Sequence, residues 1–75
     1  MNTQRRKQVR LIIRQLNDAV RDLQSVRDEE DEARENMPEN FHDTDQYLDS
    51  ETASETMDDI IDTIDAAISL LEEIS

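Results

Sequence analysis

Residues 9–26 read VRLIIRQLNDAVRDLQSV and residues 57–74 read MDDIIDTIDAAISLLEEI. In the first stretch Ile12, Leu16, Ala19, Leu23 and Val26 recur at alternating steps of four and three, and the series runs on through Glu30, Ala33 and Met37. In the second, Met57, Ile60, Ile64, Ala67, Leu71 and Ile74 follow the same rule. This spacing is the heptad seam of one helix lying along another. Glycine is absent and Pro38 is the only proline, so nothing interrupts a first helix from about 4 to 36, capped by Thr3 and roughly 50 Å long at about 1.5 Å per residue. A polar connector over about 37–49 follows. A second helix over about 50–74 has Ser50, Glu51 and Thr52 around its cap.

Folding the second helix back on the first aligns Ile12 with Ile74, Leu16 with Leu71, Ala19 with Ala67, Leu23 with Ile64, Val26 with Ile60 and Ala33 with Ala53. Small side chains then meet small ones and large meet large, as an antiparallel hairpin requires. The expected fold is all-α: one domain over residues 1–75, formed by two long helices. A second apolar stripe remains beside the seam: Val9, Ile13, Leu16, Val20 and Leu23 on the first helix, and Met57, Ile61, Ile64, Ile68 and Leu71 on the second. Two helices cannot cover both stripes. The expectation is a homodimer, a twofold four-helix bundle with Val9, Ile13, Val20, Ile61 and Ile68 in the interface between copies. On that placement, Ile13→Asp gives a monomeric or unfolded chain, a result that a light-scattering mass would check.

The 75 residues amount to 8.8 kDa, a size at which one hydrophobic core rarely suffices alone. With no cysteine, disulfides and thiolate metal sites are excluded, and the lack of glycine removes the phosphate-cradling loops of most nucleotide-dependent enzymes. One histidine, no cysteine and no glycine leave neither an activated nucleophile nor a preorganised oxyanion site, so the chain reads as a non-enzyme with no cofactor. No apolar run reaches the roughly 18 residues of a membrane span, and Arg10 and Arg14 break the short run that would otherwise imitate a signal peptide. The expected setting is a cytoplasm, with a mature chain that begins at Met1.

Charge is strongly polarised. Residues 1–27 hold seven bases and two acids, while residues 28–75 hold one base and eighteen acids, giving a net charge of −12. That balance argues against direct binding to nucleic acid or to an anionic membrane. Arg5, Arg6, Lys7, Arg10 and Arg14 come near Glu72 and Glu73 in the hairpin, so some of the asymmetry is expected to neutralise itself. The arrangement opposes the helix dipole at both ends of the first helix, which suggests a use other than hairpin stability.

Asp28, Glu29, Asp31, Glu32 and Glu35 crowd the end of the first helix. Glu51, Glu55, Asp58, Asp62 and Asp65 draw a line along the second at steps of three and four. Neighbouring carboxylates at that spacing stand roughly 5 Å apart, close to the one phosphate per about 3.4 Å of a DNA strand. These ten residues are the candidate surface for a basic protein partner, with a solvated face that merely keeps the protein dispersed as the plainer alternative.

The remaining motifs carry less. Glu39 and His42 stand in the Glu-x-x-His spacing of di-iron bundles, but in the connector and without inward companions, so no metal is expected there. Glu30 sits in the seam, either as a specificity device facing Met57 or where the bundle opens. The acids from Asp43 to Glu55 miss the calcium-loop pattern, with Tyr47, Leu48 and Ser54 at ligand or glycine positions. Phe41, Tyr47 and Leu48 read as end-of-core packing.

The run RDEEDEARENMPEN, the polar connector with Tyr47 and the ending DTIDAAISLLEEIS resemble a loose group of uncharacterised small acidic helical-hairpin proteins of bacteriophage, prophage and bacterial genomes. Asn36, Met37, Pro38, Glu39 and Asn40 carry the resemblance, which covers about the last two thirds of the chain. Phe41, His42, Asp43 and the arginine-rich start depart from it. It implies a hairpin, a phage origin and a host cytoplasm, and brings no catalytic residue. The functional expectation is a protein-binding module, in its most specific form a phage inhibitor of a host defence or nucleic-acid enzyme acting through a DNA-like acidic surface. The alternative is a scaffold or antitoxin-like helical subunit that binds a partner through its apolar stripe.

Overall fold

A computed structural model describes all of residues 1–75. Helix α1 spans Thr3–Glu35, a single 3-10 turn covers Glu39–Phe41, and helix α2 spans Asp45–Ile74. The helices form an antiparallel hairpin, a rod of 59 × 15 × 12 Å. Its radius of gyration is 17.2 Å, against roughly 11 Å for a compact domain of this length. No helix is long and apolar enough to cross a membrane.

Both helix starts differ slightly from expectation. Asn2, not Thr3, caps α1, its side-chain oxygen accepting the Arg5 N–H at 2.8 Å. Thr44 caps α2 by accepting the Tyr47 N–H at 3.3 Å, six residues ahead of the expected cap at Ser50. Thr44 also donates to the Phe41 carbonyl at 2.6 Å, so one hydroxyl closes the 3-10 turn and opens the helix. Pro38 explains why α1 stops where it does, since its ring disfavours helical backbone at Met37. The turn needs no glycine because no residue takes a positive φ. Tyr47 is half-buried, but Phe41 and Leu48 are exposed and do not plug the end of the rod.

The core corrects the expected roles of the two stripes. Val20, Ile61 and Ile68 are the fully buried apolar residues, packed with Ile13, Leu16, Leu23 and Ile64. They pack between the chain's own two helices. Val9 and Ile13 are half-buried on the same inward row. The expected seam residues Ile12, Val26, Ile60 and Ile74 are instead exposed. Both stripes share Leu16, Leu23, Met57, Ile64 and Leu71, so the choice between them rests on the remaining positions. Turning Ile13 and Val20 toward Ile61 and Ile68 hides larger side chains than turning Ile12 and Ala19 toward Ile60 and Ala67. Each additional buried methylene contributes about 0.8 kcal/mol. Ile13→Asp therefore attacks the hairpin itself and does not report on pairing between copies.

Candidate functional site

The inward rows continue past the apolar core at the same step. On α1 they run Val9, Ile13, Leu16, Val20, Leu23, Arg27, Glu30 and Arg34, with Met37 just past its end; on α2, Tyr47, Ser50, Ser54, Met57, Ile61, Ile64, Ile68 and Leu71. Toward the loop the seam thus becomes polar. Arg34 is its hub, with a guanidinium that donates to the Ser50 carbonyl at 3.1 Å, the Ser50 hydroxyl at 3.2 Å, the Ser54 hydroxyl at 2.8 Å and Asp31 at 2.8 Å. Ser54 donates to the same Asp31 oxygen at 2.6 Å, and Ser50 donates to Glu30 at 2.7 Å. Ser50 and Ser54 are the only buried polar residues, and no buried side-chain polar atom lacks a partner. A buried hydroxyl is tolerated only when its hydrogen bonds are made. The bonds from Ser54 and then Arg34 lower the Asp31 pKa, and the bond to Asp31 raises that of Arg34. One turn nearer the middle, Arg27 pairs with Asp58 at 2.8 Å and Asp28 at 3.1 Å, and those bonds raise its pKa.

These contacts define two unlike flanks. Asp31 and Asp58 each follow an inward position, and their bonds to Ser54 and Arg27 across the seam place both on one flank. Glu51, Glu55, Asp62 and Asp65 continue that flank along α2, and Asp28 and Glu35 along α1, while Glu29 and Glu32 point further outward. Near the open end the same flank carries Arg10, Arg14 and Arg21 around a shallow groove of about 570 Å³ floored by Ile13 and Val20. The opposite flank holds the positions just before the inward rows: Ile12, Ala19, Val26 and Ala33 on α1, and Ala53, Ile60, Ala67 and Ile74 on α2. It is apolar and uncovered.

Of the ten expected surface acids, Asp28, Asp31 and Asp58 are therefore engaged by the chain's own arginines, and Asp31 is half-buried. Glu29, Glu32, Glu35, Glu55, Asp62 and Asp65 are exposed and make no ion pair, and Glu51 is half-buried without one. The expected contacts between the N-terminal bases and Glu72 or Glu73 do not form: the four ion pairs within 4 Å join Arg21, Arg27 and Arg34 to aspartates. Glu30 meets Ser50, not Met57.

The Glu39 and His42 pair does not converge. His42 Nε2 donates to the Met37 carbonyl at 3.1 Å, and its ring stacks on Tyr47 with centroids 4.6 Å apart. No group of three or more His, Cys, Asp or Glu residues is placed to hold a metal ion.

Arg27, Arg34, Ser50 and Ser54 carry the polar seam, and the sequence reading missed them. Their signal was present, because Ile13, Val20, Arg27 and Arg34 recur at seven, as do Tyr47, Ser54, Ile61 and Ile68. A search for apolar residues alone passes over it. Comparison with protein-family models, curated proteins and solved structures gives no match, so the placement of these side chains carries the functional reading by itself.

Proposed function

We propose that this chain is a non-enzymatic binding module that pairs with itself as a four-helix bundle and presents its carboxylates to a basic protein. The carrying observation is the charge of the loop half. Residues 28–59 hold fourteen acids against one base, and only Asp28, Asp31 and Asp58 among those acids sit in ion pairs. Unpaired like charges on a narrow rod repel one another, and a cationic partner relieves that cost. In the most specific form of this reading the partner is a host defence or nucleic-acid enzyme whose DNA groove accepts the carboxylate line, and the chain is a phage product acting in the host cytoplasm. The resemblance around Asn36 to Asn40 supports the phage origin.

A second reading is favoured by the apolar flank, where Ile12, Val26, Ile60 and Ile74 are exposed. In it the chain is a scaffold or antitoxin-like subunit whose flank takes a helix of a different protein.

Capture from a host lysate separates the two. The tagged protein is compared with a variant carrying Glu32→Gln, Glu35→Gln and Glu55→Gln, at low and moderate salt. Under the acidic-surface reading the principal captured protein is lost in the variant and also at moderate salt, because exposed charges are screened over about 8–10 Å at such ionic strength. Capture that survives both changes supports the apolar-flank reading.

A further inference from the structure

We infer that the second copy covers the flank of Ile12, Ala19, Val26, Ala33, Ala53, Ile60, Ala67 and Ile74, and lies antiparallel, open end over loop end. This rests on the proposal that the chain pairs with itself, and adds which face is used and in which direction. The flank is built in levels along the rod. In the register that the Arg34–Ser54, Asp31–Ser54 and Arg27–Asp58 bonds set, Ile12 comes level with Ile74, Ala19 with Ala67, Val26 with Ile60 and Ala33 with Ala53, so the levels run large, small, large, small. The large members stand 42–52% exposed: Ile12 45%, Val26 52%, Ile60 42% and Ile74 47%.

Laid parallel, an identical copy would set isoleucine against isoleucine and leave alanine facing alanine across a gap. Laid antiparallel, every large level falls on a small one: Ile12 over Ala33, Ala19 over Val26, Ile60 over Ala67 and Ala53 over Ile74. Interiors reach their usual density only through such interdigitation.

Charge selects the same direction. The basic first turns of one copy, with Arg5 on the flank's own row, come level with the acidic loop half of the other, whereas a parallel pair would stack the two acidic loop halves. The residues bordering the flank are largely uncharged, with Gln8, Gln15, Thr56, Thr63 and Leu70 at helical spacing from it and Asp22, Glu29 and Asp49 as the charged exceptions. The four levels from Ile12 to Ala33 run about 32 Å along the rod at roughly 1.5 Å per residue. The acidic flank lies on the far side of each hairpin and stays open to solvent in this dimer.

The native chain lacks cysteine, so single thiols report the geometry without background. Ala19→Cys and Val26→Cys chains, mixed and oxidised, should yield a disulfide-linked dimer; Ala19→Cys mixed with Ala67→Cys should not. Each chain carries a single thiol, so any bridge joins two copies. Linkage of 19 to 67 instead would overturn the direction and leave the pairing intact. A dimeric mass by sedimentation with neither linkage would overturn the face. A monomeric mass for the unsubstituted protein would overturn the pairing itself, and this inference with it.

Discussion

In the open half of the rod the side chains between the helices are Ile13, Leu16, Val20, Leu23, Ile61, Ile64 and Ile68. In the loop half the same periodic positions hold Arg27, Glu30, Arg34, Ser50 and Ser54. One seam is thus closed by two kinds of force. Apolar burial is non-directional and scales with area, so the open half supplies most of the stability but tolerates sliding. Hydrogen bonds act only at about 3 Å and in the right direction, so the Arg34 network fixes which residues face each other. The loop half sets the register that the open half exploits.

Ile68→Ala strikes the apolar half and should cost about 2–5 kcal/mol in urea unfolding, the range for a buried large-to-alanine change. A loss well under 1 kcal/mol would mean that the open half is not the stabilising one. Ser54→Ala removes a buried hydroxyl that both accepts from Arg34 and donates to Asp31, and should cost about 1–2 kcal/mol by the same measurement.

Asp31→Asn tests the same network through pH. Ser54 and Arg34 hold the Asp31 carboxyl below its ordinary value of 3.8, so its contribution is complete above that value and is lost as pH falls through the lowered one. The stability gap between the native chain and Asp31→Asn should therefore be constant from neutral pH to about pH 5 and close in more acid solution. A gap that stays open at the acid end would remove the carboxylate from the account. Asp58→Asn should have the smallest effect. Arg27 keeps Asp28 as a partner, the Asp58 carboxylate is exposed, and any shift in melting temperature should shrink at high salt.

The hairpin was readable because its causes are local. The absence of glycine, the position of Pro38 and the alternating steps each act within a turn or two of helix. The α2 boundary was harder, since Thr44 sits among other polar residues and only its paired bonds to Phe41 and Tyr47 distinguish it as a cap. Among the candidate acids, nothing in the spacing separates Asp31 and Asp58 from Glu35 and Asp62. The first two are claimed by arginines that sit on the inward rows, and that placement is known only once the helices are rotated into contact.

Periodicity and punctuation alone determined two long helices, one connector, an acidic loop half and an apolar surplus beyond what two helices can hide. Tertiary structure decided which of two neighbouring stripes turned inward. Each stripe satisfies the heptad on its own helix, so neither helix can choose alone. The choice is made by what crosses the gap: Val20 and Ile68 hide more apolar volume than Ala19 and Ala67 beside them, and Arg34 reaches Ser50 and Ser54 on the other helix only in that rotation.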